Sequence, residues 1–152
     1  MILALVLTNE KRVRSQEDKI SYRRQRVNIA IVGSGYVGLV TGVCLAQIGH
    51  KVICVDNDET KINSLKKLKV PIFEPDLKEL LRRNVKAKRL SFTTSIAEAT
   101  KKSTVIFIAV GTPSKENGEA DLTYVENVSR EIAQNMDSYK LIVEKSTVPA
   151  ET

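Results

Sequence analysis

The sequence predicts an α/β chain with a doubly wound, parallel sheet, and three observations carry that prediction. From residue 27 onward, short apolar runs rich in β-branched residues alternate with stretches whose apolar residues recur at helical spacing. A glycine-rich turn, Gly33-Ser34-Gly35-Tyr36-Val37-Gly38, joins the first apolar run to the first helical stretch. An acid, Asp56, closes the second run, 18 residues beyond Gly38.

Length and composition agree with this class. The 152 residues suit one domain with a working core, and 42% hydrophobic content is too high for a disordered chain. No apolar run approaches the ~20 residues of a spanning helix. The formal charge of +6 raises the question of a polyanionic partner. The first 26 residues hold seven bases (Lys11, Arg12, Arg14, Lys19, Arg23, Arg24, Arg26) and three acids (Glu10, Glu17, Asp18). Most of the excess therefore sits in residues 1–26, expected to be a flexible basic extension, and residues 27–152 are nearly balanced. Tyr22 is the only aromatic in that extension, so neither a nucleic-acid nor a membrane partner is expected. The apolar stretch Ile2 to Leu7 lacks the charged flank and cleavage site of a secretory signal. Cys44 and Cys54 have no metal-ligand spacing and are expected to be reduced packing residues in a cytoplasmic protein.

Taken in order, Val27 to Val32 is the first buried strand. Tyr36 to Ile48 is a helix with Val37, Val40, Cys44 and Ile48 at helical spacing, ended by Gly49 as a left-handed cap. His50 is expected at the surface. Val52 to Val55 is the second strand, and Asp58 to Leu68 a helix that turns Ile62, Leu65 and Leu68 inward. Pro75 suits a first helical position before Leu77, Leu80 and Leu81. Leu90 to Thr93 is a short strand, and Ser95 with Glu98 has the spacing of a capping box. Val105 to Val110, the most apolar run, is the expected central strand. Asn117-Gly118 marks a turn. Asp121 can cap a helix bearing Leu122, Val125, Val128, Ile132 and Met136, and Leu141 to Val143 is a last strand. The chain stops soon after its fifth or so strand, so the sheet is expected to be truncated.

The glycine turn sits where a dinucleotide fingerprint must sit, between a strand and a helix. Gly33 permits the tight turn, Gly35 lets a pyrophosphate approach the backbone, and Gly38 brings the helix onto the sheet. The helix N-terminus offers N–H donors and a positive dipole end to phosphate. Asp56 can accept both hydroxyls of an adenosine ribose and repels a 2′-phosphate, which favours NAD over NADP. Lys61 could soften that preference or lie along phosphate, but it also suits an ordinary helix surface. Two more loops follow strands at the same sheet edge, Gly111-Thr112-Pro113-Ser114 and Lys145 to Pro149. They make Thr112 and Thr147 candidates for hydroxyl contacts. No nucleophile, base and acid come together as a catalytic set.

Six segments resemble one family in order: VNIAIVGSGYVGLV (27–40), GVCLAQIGHKVICVDND (42–58), PIFEP (71–75), IAVGTP (108–113), ADLTYV (120–125) and EKSTVP (144–149). They are similar to the N-terminal domain of the UDP-glucose/GDP-mannose dehydrogenases. The resemblance implies a Rossmann-type fold and an oxidoreductase that takes the C6 alcohol of a nucleotide sugar to a carboxylate with two NAD. It implies cofactor contacts from Gly33, Ser34, Gly35, Tyr36, Val37, Gly38, Asp56, Lys61, Val110, Gly111, Thr112, Pro113, Ser146 and Thr147. Thr147 is also implied as an auxiliary catalytic residue that helps order water beside the nicotinamide.

UDP-glucose is the substrate the resemblance favours, with GDP-mannose or UDP-N-acetylmannosamine, or a non-catalytic NAD-binding module, as alternatives. A homo-oligomer and a role in polysaccharide biosynthesis are implied for the intact protein. The family's catalytic cysteine, lysine and asparagine belong to segments after the STVP motif, so this chain alone is expected to be inactive. The extension 1–26 and the Ala150-Glu151-Thr152 ending depart from the family pattern.

Overall fold

The computed structural model describes residues 26–148; the expectations for residues 1–25 and for 149–152 lie outside that range. Five parallel strands form one sheet among the described residues: β1 (Asn28–Val32), β2 (Lys51–Val55), β3 (Leu90–Thr93), β4 (Val105–Ile108) and β5 (Leu141–Glu144), in the order β3-β2-β1-β4-β5. The helices are α1 (Tyr36–Gln47), α2 (Glu59–Lys66), α3 (Leu77–Lys86), α4 (Ile96–Lys102) and α5 (Thr123–Asn135). The predicted doubly wound sheet is therefore present.

Strand alternation explains the two layers. Ile29 and Ile31 point to one face, where Val52, Cys54, Leu90 and Phe92 meet Leu39, Val43 and Ala46 of α1, Ile62 and Leu65 of α2, and Leu77, Leu80 and Leu81 of α3. Ala30 and Val32 point to the other, against Val55, Ile106, Ile108, Ala99 of α4 and Ile132 of α5. Both faces are covered, so these strands read as continuous apolar runs. Leu39, Leu65 and Leu81 are fully buried, and truncating any one to alanine would cost about 2–5 kcal/mol.

The order of the strands places the site. The chain leaves β1 toward β2 and later returns to the other side of β1 as β4. The strand order thus reverses at β1, and a crevice opens beyond the carboxyl ends of β1 and β4. Val32 pairs with Val55 on one side and Ile108 on the other, so the loops after all three strands meet there.

Several local expectations need correction. The most apolar run, β4, is an interior strand, but β1 occupies the centre. The buried face of α1 is Gly38, Leu39, Gly42, Val43 and Ala46, while Val37 and Ile48 are exposed and Cys44 is half-buried. That helix is apolar almost all round, so periodicity could not choose its face. Helix α3 starts at Leu77 behind a left-handed Asp76 (φ 63°), which leaves Pro75 outside it. Met136 follows α5 and is exposed.

Other local readings match the structure. Gly49 is left-handed at φ 112°. Ser95 Oγ accepts the Glu98 N–H at 3.1 Å, but Glu98 turns its carboxylate to Thr93 and Lys102 instead of closing the box. Asp121 Oδ1 accepts the Thr123 N–H at 3.0 Å, but the N-cap of α5 is Leu122, so Asp121 braces the helix entry from one residue before the cap. Gly118, at φ 85°, turns the chain back so that Ser114 bridges Ala120.

Candidate dinucleotide site

The glycine loop is built by close approach. Gly33 lies at φ 101°, its N–H donates to the Val55 carbonyl at 2.8 Å, and a Cβ there would stand 2.4 Å from the Ala109 carbonyl oxygen. Only glycine meets both demands. A Cβ on Gly38 would fall 1.8 Å from the Gly33 carbonyl oxygen, so the first turn of α1 can sit on the loop only without a side chain. A Cβ on Gly42 would fall 2.6 Å from Cys54 Sγ, so the bare glycine lets α1 lie against β2.

Gly35 differs from these three. A Cβ there would meet nothing within 4 Å. Its freedom serves no packing need; it leaves open the space in front of α1. Gly35 is also the N-cap of α1, and no side chain caps the first-turn N–H groups. Unpaired donors at a dipole's positive end, with bare backbone before them, form an anion cradle.

Asp56 stands beside that cradle at the carboxyl end of β2, and is 9% exposed. Its Oδ2 accepts the Ser34 N–H at 3.0 Å, the Ser34 hydroxyl at 2.8 Å and the Lys61 ammonium at 2.8 Å. Its Oδ1 accepts the Asp58 N–H at 3.1 Å. Burial pushes the carboxyl toward protonation, but the hydrogen bonds from Lys61, Ser34 and Asp58 outweigh it and hold the group below its ordinary value. Asp56 is thus a fixed carboxylate.

Two cavities meet at Gly35. The first, about 550 Å³, is lined by Gly33, Gly35, Asp56, Lys61, Val110 and Gly111, and reaches α5 at its far end. The second, about 270 Å³, is lined by Gly35, Tyr36, Val37, Val110 to Thr112, and Lys145 to Thr147. They share Gly35, Ala109, Val110 and Gly111. Two chambers that share Gly35 and its anion cradle suit a dinucleotide, whose two halves flank a pyrophosphate.

Of the sequence-derived site residues, Ser34, Gly38 and Pro113 line neither cavity. Ser34 is buried and spends its donors on Asp56. The Pro113 carbonyl instead accepts the Asp121 N–H at 2.8 Å and ties down the following hairpin. Thr112 Oγ1 donates to the Thr147 carbonyl at 2.8 Å. Ser146 Oγ is buried at the second cavity without a partner among the described residues. Tyr36 donates its hydroxyl to Glu74, from the loop ahead of α3; that hydrogen bond, some burial and the Glu74 charge raise the phenol above its usual value.

Sequence reasoning missed the far wall of the first cavity, formed by Asn57, Thr94, Ile96, Tyr124, Asn127 and Glu131. Tyr124, Asn127, Val128 and Glu131 recur at helical spacing along α5, a signal visible in the sequence. What the spacing could not say is that α5 turns this face to the crevice. Cys54 lies in the core, where burial raises its thiol to about 12, while Cys44 is half-buried on α1. His50 is half-buried, and its Nδ1 accepts the Val27 N–H at 3.3 Å, away from the crevice. Among the described residues no three His, Cys, Asp or Glu side chains gather into a metal-binding group, and no helix is long and apolar enough to cross a membrane.

Comparison with known proteins agrees with this geometry. Residues 27–152 match the profile of the UDP-glucose/GDP-mannose dehydrogenase family, NAD binding domain. The chain is 53% identical over 124 residues to UDP-glucose 6-dehydrogenase TuaD of Bacillus subtilis, covering 82% of this chain and 27% of that protein. It is 53% identical over 127 residues to UDP-glucose 6-dehydrogenase of Rhizobium meliloti, with 83% and 29% covered.

Among solved structures, a ternary complex of GDP-mannose dehydrogenase from Pseudomonas aeruginosa superposes with a TM-score of 0.77 at 46% identity, over 80% of this chain and 28% of that one. UDP-glucose dehydrogenase from the archaeon Pyrobaculum islandicum gives 0.80 at 36%, over 89% and 31%. The chain spans less than a third of the length of these relatives. A glycine cradle, a fixed carboxylate and a two-chambered crevice at the strand-order reversal thus occur in a chain that belongs to the UDP-glucose/GDP-mannose dehydrogenase family, as its NAD-binding domain.

Proposed function

We propose that the crevice takes NAD in one orientation, with adenosine in the first cavity and the nicotinamide end in the second. The observation that carries this reading is Asp56, a buried carboxylate opening onto the larger chamber. A carboxylate there accepts a ribose diol and repels a 2′-phosphate. Adenine then lies toward Tyr124, Asn127 and Glu131, and the pyrophosphate crosses Gly35 onto the N-terminus of α1. The unpartnered Ser146 hydroxyl and Gly35's open space both fit the group: one lacks a hydrogen-bond partner, the other would be filled by any side chain.

When bound, NAD supplies the hydride acceptor. This chain's own residues bind and orient it: Gly35 and α1 hold phosphate, Asp56 the ribose, and Thr112 and Ser146 the nicotinamide end. Thr147, whose carbonyl is held by Thr112, has an auxiliary role in placing water beside the reacting carbon. The substrate of the whole protein is inferred from its relatives' names to be UDP-glucose, oxidised at C6 to UDP-glucuronate. The similarity to a GDP-mannose dehydrogenase keeps that sugar as the second reading. Supply of an acidic sugar nucleotide for polysaccharide synthesis, a cytoplasmic setting and a homo-oligomeric assembly belong to the same inference.

Titration of the chain with NADH and NADPH, followed by nicotinamide fluorescence, tests the cofactor assignment. NADH binding with at least a tenfold preference over NADPH is the expected result, on the order of one unfavourable charge contact. Absence of any NADH signal would overturn it.

A further inference from the structure

Charge is segregated across the sheet, and the near balance of residues 27–152 hides it. Residues 66–89 hold nine bases and three acids, while the rest of that stretch holds eight bases and twelve acids. The basic part runs from the end of α2 through α3, on the face of the sheet that α1 also covers. On the opposite face, residues 114–139, which include α5, hold six acids and two bases. One side of the sheet is therefore positive and the other negative.

Helix α3 shows how the cations are presented. It buries Leu77, Leu80, Leu81 and Asn84. Lys78, Arg82 and Lys86, each four residues from the next, form one stripe on its outward face, and all three are exposed. Arg83 and Lys88 are exposed near it. Glu79 is the only acid within α3, and it is paired with Arg82 at 2.8 Å. None of these residues lines either cavity, so a bound cofactor leaves this face free.

An apolar tip stands at the head of the stripe. Phe73 is 95% exposed, and Pro71 and Pro75 on either side of it are exposed too. The loop that carries it is fixed at two points. The Glu74 carbonyl accepts the Leu77 N–H at 3.3 Å, which ties the loop to the first turn of α3, and the Glu74 carboxylate accepts the Tyr36 hydroxyl. An aromatic ring projecting beside a cationic helix has the chemistry of an interfacial anchor. The ring enters the acyl boundary while ammonium and guanidinium groups meet lipid phosphates. A single projecting ring suits that surface better than a single-stranded nucleic acid, whose successive bases need a row of stacking platforms.

We propose that α3 and the Phe73 loop dock the protein on an anionic lipid surface, with Phe73 as the wedge and Lys78, Arg82 and Lys86 as the headgroup contacts. The acidic α5 side is repelled by the same surface, so the protein lies one way up. This is attachment at a surface, for which no spanning helix is needed.

Sedimentation of the 152-residue chain with vesicles of equal parts phosphatidylglycerol and phosphatidylcholine tests it, with phosphatidylcholine vesicles alone as the control. The parent should bind the anionic vesicles and release them as salt rises. Residues 1–26 are common to every variant, so differences between variants report the α3 face. The triple variant Lys78→Gln, Arg82→Gln, Lys86→Gln should bind on the order of a hundredfold more weakly, with circular dichroism to verify its fold. Equal binding by parent and triple variant would overturn the proposal, as would a parent that ignores anionic vesicles. The sequence has no tryptophan, so Phe73→Trp installs a single reporter. Its emission should move to shorter wavelength on the anionic vesicles and be quenched by brominated acyl chains; unshifted emission from bound protein would overturn the placement of the wedge. Binding of single-stranded RNA through the same three cations, with no vesicle binding, would give the face to nucleic acid and overturn the lipid reading.

Discussion

Thr112 and Thr147 lie 35 residues apart, yet the hydroxyl of the first donates to the carbonyl of the second at 2.8 Å. That bond joins the loop after β4 to the loop after β5, and both residues line the smaller cavity. Its loss costs about 1 kcal/mol, and on the proposed orientation of NAD that cost falls at the nicotinamide end. Thr112→Val should therefore weaken NADH roughly fivefold and leave ADP, which fills only the larger chamber, unchanged. Parallel calorimetric titrations of the two ligands decide it; equal weakening of both would place the tie's effect elsewhere.

Gly35 and Gly38 separate binding from folding. Gly38→Ala drives a methyl group into the Gly33 carbonyl oxygen, an overpacking that costs about 1–3 kcal/mol and lowers Tm by roughly 5 °C or more. Gly35→Ala meets no protein atom and should leave Tm within a degree or two, while NADH affinity drops by about tenfold or more as the methyl enters the phosphate path. Thermal melts and NADH titrations of both variants are the measurement. A Gly35→Ala protein with full NADH affinity would refute the cradle.

Asp56 predicts the acid side of the stability curve. Its folded value lies below its unfolded one, so its stabilisation is present above the unfolded value near 4 and is lost as pH falls through the folded value. Melting temperatures between pH 7 and pH 2 should show a steeper acid loss in the parent than in Asp56→Asn. Parallel curves would mean that the carboxylate is not held by its donors in solution.

Glu74 holds the tip of the loop ahead of α3 against Tyr36, while Phe73 beside it is 95% exposed. Glu74→Ala should free the loop and speed chymotryptic cleavage after Phe73 several-fold. Glu74→Gln, which still offers an acceptor to the Tyr36 hydroxyl, should restore slow cleavage. Mass spectrometry of timed digests distinguishes the three proteins.

Catalysis is expected to be absent from the chain on its own. Its two cysteines sit in α1 and β2, and burial raises both thiols. Burial disfavours the thiolate of both, so if the reaction needs a cysteine thiolate, as the family resemblance implies, UDP-glucose with NAD should produce no NADH absorbance. A measurable rate would overturn the expectation that this chain is inactive alone.

What the sequence determined by itself was whatever is local. Short continuous apolar runs and helical spacing set the order of strands and helices, since both signals are carried within a few residues. The glycine fingerprint with Asp56 set the dinucleotide class, because turn, cradle and carboxylate all lie within one βαβ unit. Only the tertiary structure decided which face of α1 is buried, that β1 and not β4 is central, that α5 walls the larger cavity, and that Lys61 already occupies Asp56. Each depends on residues far apart in the chain, or on which of several donors reaches a carboxylate first. An apolar helix or a surface lysine carries no such information until its neighbours are in place.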